Sequence, residues 1–211
     1  MTWIQVLLVV LIPQSVDVRI TGLGVCVESM VYTTETIPLK EYVKGVLPNE
    51  WLATWNDEAL RAGALAVKNY GVSIYNSQGY IWDCNFNQVY DPDKRTPETD
   101  KAVDDTWNWW LVNPQYIIAY ADKPAINHNE LLVRTYYDDY KAACYSRGHE
   151  CMSQYQSQTD AVNGQSWQTI VMKYYTGELL VLPFNRLDWN LSWFNHHIYK
   201  QPYSIRTHRT R

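Results

Sequence analysis

The chain has 211 residues, enough for one large domain or two small ones that bury a core without metal or disulfide staples. Its formal charge of −4, with acids and bases interspersed, excludes the broad basic field that neutralises a phosphate backbone, and nucleic acid with it. Ten Trp and seventeen Tyr against three Phe give an excess of flat side chains with a polar edge, which suit a core but also the face of a sugar ring.

The opening "MTWIQVLLVVLIPQS" holds an apolar run of about nine residues, too short to cross a bilayer as a helix. It makes a poor signal peptide, since no Lys or Arg precedes the run and no small-x-small site follows it. A β-strand suits the letters better, and "VDVRITGLGVCVESMVYTT" continues with alternating character around a Gly-containing turn. Residues 1–36 therefore read as N-terminal strands.

In "IPLKEYVKGVL", Leu39, Tyr42, Val43, Val46 and Leu47 recur at helical spacing, and a short helix should end near Pro48. A longer helix starts at Asn56 or Asp57, with acids in its first turn and a stripe of Leu60, Ala64, Val67, Gly71 and Ile74, and stops between Asn76 and Gly79. The stretch "IWDCNFNQVYDPDKRTPETD" reads as a long surface loop. A third helix is expected from Pro97 to Thr99 onward, burying Ala102, Val103, Thr106, Trp107 and Trp110 and stopping before Pro114.

"QYIIAY" and "ELLVRTYY" read as strands, and "SWQTIVMKYYTG" as a helix capped by Ser166, with Gly177 past its end. The tail from Leu187 lacks steady period, ends basic, and is expected to be partly disordered or an irregular appendage. These elements add up to an α+β fold, a mixed or antiparallel sheet with about four helices lining a groove. The main domain spans residues 37–186. Cysteines at 26, 84, 144 and 151 form no close zinc spacing; Cys144 and Cys151 are the nearest pair, though spacing alone does not make them a disulfide.

Four blocks in order, "IPLKEYVKGVLPNEW", "EALRAGALAVKNY", "NQVY" with "TDKAVDDTW", and "SRGHECMSQY…NGQSWQTIVMKYYTG", resemble the stage II sporulation protein D family and its amidase-enhancer relatives, from about Ile37 to Leu180. The resemblance implies a lytic transglycosylase of peptidoglycan, which cuts a glycan strand without water and leaves an anhydromuramic end. It places the catalytic acid on Glu50 and the basic pair of the next helix on Arg61 and Lys68, where Lys68 replaces the family's usual Arg. It also implies an extracytoplasmic or cell-envelope location, with glycan strands as ligand and a cell-wall amidase as a further partner.

The residues themselves agree with that chemistry. An acid held in an apolar mouth keeps its proton at higher pH, and Leu47, Pro48 and Trp51 can supply the mouth. One carboxyl can serve, first donating to the leaving oxygen and then taking the proton of the substrate's own hydroxyl. Arg61 and Lys68, seven residues apart, project from a common helix face and could bind an anionic sugar substituent, although by default such bases are solvated or paired with Asp57 and Glu58.

Trp51, His149, Ser153 and Gln154 complete the expected substrate side. Gln88 and Tyr90 are expected to tie the long loop to the core. Relatives often bind zinc through a Cys-rich segment before "QVY"; here only Cys84 remains, so no metal and no other cofactor is expected. The closing loop is one residue shorter than in the family and carries Glu150 and Cys151 in place of Gly-containing sequence. A non-catalytic wall-binding module of the amidase-enhancer type is the alternative reading.

Overall fold

The computed structural model describes residues 12–113, 132–139 and 149–181. The opening run, the "QYIIAY" segment, Cys144 and the basic tail lie outside these residues.

Two strands open the described chain: β1 (Ser15–Ile20) and β2 (Thr33–Pro38) pair antiparallel from Ser15↔Pro38 to Ile20↔Thr33. The alternation read in the sequence puts Val16 and Val18 fully inside. A short β3 (Ile81–Trp82) adds parallel to β1, giving the order β2-β1-β3.

Helix α1 (Leu39–Glu50) runs two residues past the expected stop near Pro48. Pro48 fits inside its last turn because a proline there removes a single helical N–H, and the turn is closed beyond it by Trp51 N–H donating to Leu47 O at 2.8 Å. Nearby, the Gly45 carbonyl accepts from Asn49 Nδ2 at 2.8 Å and from Asp91 N–H at 3.0 Å, which ties the loop after β3 to this helix end.

Helix α2 (Asp57–Gln78) follows the sequence expectation at both ends. Asn56 Oδ1 accepts from Glu58 N–H at 2.9 Å, and Gly79 takes a φ of 79°, the left-handed conformation that favours glycine after a helix. This helix is the axis of the core. It touches α1 and three later helices, so its buried surface extends well beyond the expected stripe, from Ala59 to Ile74.

Helix α3 (Pro97–Thr106) opens on a reciprocal Thr96–Thr99 capping box but ends four residues before Trp110. The aromatic and β-branched Trp109–Val112 form strand β4 instead, which pairs antiparallel with β7 (Glu178–Val181). Of the second expected strand, β5 (Tyr136–Asp138) pairs parallel with β6 (Cys151–Ser153).

Helix α4 (Gln154–Val162) was not foreseen. Helix α5 (Trp167–Tyr174) starts on Ser166 as expected, but its cap is an extended Tyr175. Gly177 serves close packing: a Cβ there would lie 2.9 Å from Val112 O. Among the described residues, five α-helices with small mixed and antiparallel sheets make the fold α+β. Among the described residues no helix is long and apolar enough to cross a membrane.

Candidate active site

Glu50 is the last residue of α1, and Trp51 determines where its side chain is left. Trp51 turns extended (φ −122°, ψ 128°) and its indole goes into the core, fully buried. There it meets Tyr137 edge-on at 4.9 Å, donates from Nε1 to Ser157 Oγ at 3.1 Å, and lies over Gly63, where a Cβ would come within 2.5 Å of the ring. Trp51 is thus an anchor of the helix end, and its buried ring offers no sugar platform, contrary to the sequence expectation.

With its neighbour anchored, Glu50 stays half-buried, part of its surface still open to solvent. Its Oε1 accepts from Val89 N–H at 3.2 Å and its Oε2 from Gln154 Nε2 at 3.3 Å; the same Gln154 amide donates to Glu50 O at 2.7 Å. Burial pushes the carboxyl up to about 7, against the pull of these two donors, and the charge of Asp139 adds to the rise. A carboxyl poised there holds a transferable proton near neutrality.

Under Glu50 lies a buried polar chain. Tyr42 Oη donates to Gln88 Oε1 at 2.9 Å, while Gln88 Nε2 donates to Tyr137 Oη at 2.8 Å and to Val67 O at 3.2 Å. Burial first, and the nearby Glu50 charge second, push both phenols well above their ordinary range, so both stay protonated. Gln88 ties the long loop to the core as expected, and Tyr90 stacks on Tyr42 at 5.6 Å.

The expected basic pair is engaged elsewhere. Arg61 Nε donates to Asp105 Oδ2 at 2.9 Å, and its other nitrogens pair with Glu58 and Asp57, the default partners. Glu58 Oε2 in turn accepts from Trp167 N–H at 2.7 Å, so this cluster joins α2, α3 and α5.

Lys68 is buried, and its Nζ donates to the carbonyls of Thr106, Trp107 and Trp109 at 3.0, 2.7 and 2.7 Å while lying 4.4 Å from the Trp110 ring centroid. Burial, with Lys40 adding, pushes its pKa well down. Three protons on three carbonyls leave nothing for a ligand, so Lys68 closes the end of α3 and the sequence expectation of a substrate contact is corrected.

Gln154 is the one expected substrate-side residue that reaches Glu50. Ser153, buried, caps α4 by accepting from Gln156 N–H at 3.1 Å and donates to Asp139 O at 2.9 Å. His149 stacks on Tyr136 with ring centroids 4.0 Å apart. Val89, Tyr42, Tyr137 and Asp139 had no signal in the sequence beyond their places in a loop, a helix stripe and a strand.

Cys84 meets Cys26, not foreseen from the sequence, in a disulfide with Cα atoms 5.7 Å apart. Cys26, Asp83 and Cys84 bring their donor atoms within 4.8 Å of one another, the kind of grouping a metal would use. The residues do not fit zinc in this form. Both sulfurs are bonded to each other, and the Asp83 carboxylate already accepts from Thr21 N–H at 2.7 Å, Thr21 Oγ1 at 2.6 Å and Gly22 N–H at 2.9 Å. We expect the Cys26→Ser, Cys84→Ser double variant to lose about 2–4 kcal/mol, read as a fall in Tm of roughly 5–15 °C, and a chelator to leave the wild-type melting curve unmoved. A chelator-induced fall would restore the metal.

No curated protein and no solved structure matches this chain. The segment that carries Glu50, Val89 and the disulfide partner Cys84, together with α1, α2 and α3, is similar to a known family: residues 28–112 match the Stage II sporulation protein (SpoIID) model.

Proposed function

We propose that the chain is a lytic transglycosylase of peptidoglycan glycan strands, with Glu50 as the single acid and base. The observation that carries this reading is the half-buried Glu50 carboxyl, pushed up to about 7 and aimed by Val89 and Gln154. Protonated Glu50 donates to the glycosidic oxygen as the C1–O bond breaks and its electron pair stays with the leaving sugar. The muramic 6-hydroxyl oxygen then bonds to C1, and its proton returns to the Glu50 carboxylate. No water is consumed, and the acid ends as it began.

The Cys26–Cys84 disulfide supports an extracytoplasmic or envelope location, since such bonds persist in oxidising compartments. The test is mass spectrometry of purified glycan strands after incubation with the protein. Anhydro ends, lighter by one water than hydrolytic ends, are expected. Hydrolytic ends would make it a hydrolase. Intact strands that are bound, with faster cleavage by a cell-wall amidase, would make it an enhancer module.

A further inference from the structure

The face of the β2-β1-β3 sheet turned away from the core carries a guanidinium among aromatic rings. The register sets Arg19 between Thr34 on β2 and Trp82 on β3, and because Val16 and Val18 point inward, Arg19 points outward. Its guanidinium carbon lies 3.4 Å from the ring centroid of Tyr80, close enough that the group lies flat on that ring, and 4.8 and 4.9 Å from those of Tyr32 and Trp82. The rings brace one another, since Trp82 meets Tyr32, Tyr80 and Phe86 edge-on at 5.0, 6.0 and 6.3 Å. The cradle is also open to solvent: Arg19, Tyr80 and Trp82 are half-buried, and Tyr32 and Phe86 are exposed.

Rings cover the faces of this guanidinium, but its N–H groups lie in its plane and point past them. Among the described residues none accepts from them. The neighbouring carboxylates are engaged elsewhere: Asp17, two residues back on the same face, accepts from Thr36 Oγ1 at 2.6 Å, and Asp83 accepts from the N–H groups of Thr21 and Gly22 at 2.7 and 2.9 Å. A planar cation with a free edge, set among exposed rings, matches a carboxylate attached to a sugar or apolar face.

We infer that Arg19, with Tyr32, Trp82 and Phe86 around it, is a binding site for a carboxylate carried by a glycan strand, whose sugar faces lie on the exposed rings. The inference rests on the reading of the protein as one that acts on such strands. Trp82 precedes Val89, the donor to Glu50, by seven residues, so no more than ~24 Å of chain separates the two. Two substituents of a peptidoglycan strand offer the group: the lactyl side chain where the peptide has been removed, and the peptide where it remains.

Binding is measured by calorimetry in the Glu50→Gln background, which keeps the strands intact, with peptide-free strands, peptide-bearing strands, and both after amidation of their carboxyls. Adding Arg19→Gln should weaken binding of at least one natural strand about tenfold, the factor lost with a charge-assisted hydrogen bond, and the strand affected names the source of the carboxylate. Arg19→Lys, which keeps the charge without the fork, should recover only part of this. Amidation should cost the protein with Arg19 intact the same factor, a comparison that needs no variant at this position to fold. On amidated strands Arg19→Gln should have no further effect, because the partner is already gone. Equal affinities with and without Arg19 for both natural strands, or no binding of either, overturn the inference. Arg19-dependent binding by a protein whose Glu50 form makes no anhydro ends upholds the site and instead refutes the transglycosylase reading.

Discussion

Glu50→Gln is expected to lower the rate of anhydro-end formation by at least about a hundredfold, the scale for removing a general acid, while the fold and glycan binding persist. The amide keeps the volume of the side chain, and Gln154 keeps its 2.7 Å bond to the Glu50 carbonyl, so the helix end stays anchored. What disappears is the transferable proton. Equal rates for the two proteins would show that Glu50 is not the acid.

The same variant tests the electrostatics through stability. Folding raises the Glu50 carboxyl from 4.5 to about 7, so the proton stabilises the folded form below the lower value, and this contribution fades as pH rises through 7. Above that pH the wild type carries a partly buried carboxylate that the Gln variant lacks. Thermal melts at pH 8 should therefore favour Glu50→Gln relative to wild type, with the advantage gone at pH 4.

Lys68→Met carries the largest expected loss of stability from a single substitution. Methionine retains the apolar stem but removes all three donations to Thr106, Trp107 and Trp109, leaving carbonyls at the end of α3 and the start of β4 without their partner. The cost should be about 3 kcal/mol, and Tm should fall by roughly 6–12 °C. Activity per folded molecule should stay near wild type. A variant that melts normally but shows a tenfold higher KM would return Lys68 to the substrate.

What was legible in the sequence followed local rules. The ends of α2 are set by Asn56 and Gly79, and the start of α3 by Thr96 and Pro97, all of which act on their immediate neighbours. Helix α4 escaped notice because its inner face is polar: Gln154, Ser157 and Asp160 are buried by hydrogen bonds to Glu50, Trp51 and Lys173, so no apolar period exists to be read. Lys68 was misjudged for a related reason. A lysine on an ordinary amphipathic helix reaches water, but α2 is surrounded, and its charge ends inside.

Within the site, Glu50 could be placed only through the family resemblance, since one acid beside a helix is by default a solvated charge. Its partners come from Val89, Asp139 and Gln154, about 40 to 100 residues away, and only the tertiary fold brings them together. The Cys26–Cys84 bond, 58 residues apart, is equally non-local.

That bond has a topological consequence. It closes a covalent ring that contains β2, α1, Glu50 and the whole of α2. A single peptide-bond cut anywhere between residues 27 and 83 opens the ring but releases no fragment, and the two new ends remain tied through the sulfurs. A protein working among peptidases would thus keep its acid attached to the rest of its site after a nick that would otherwise sever them.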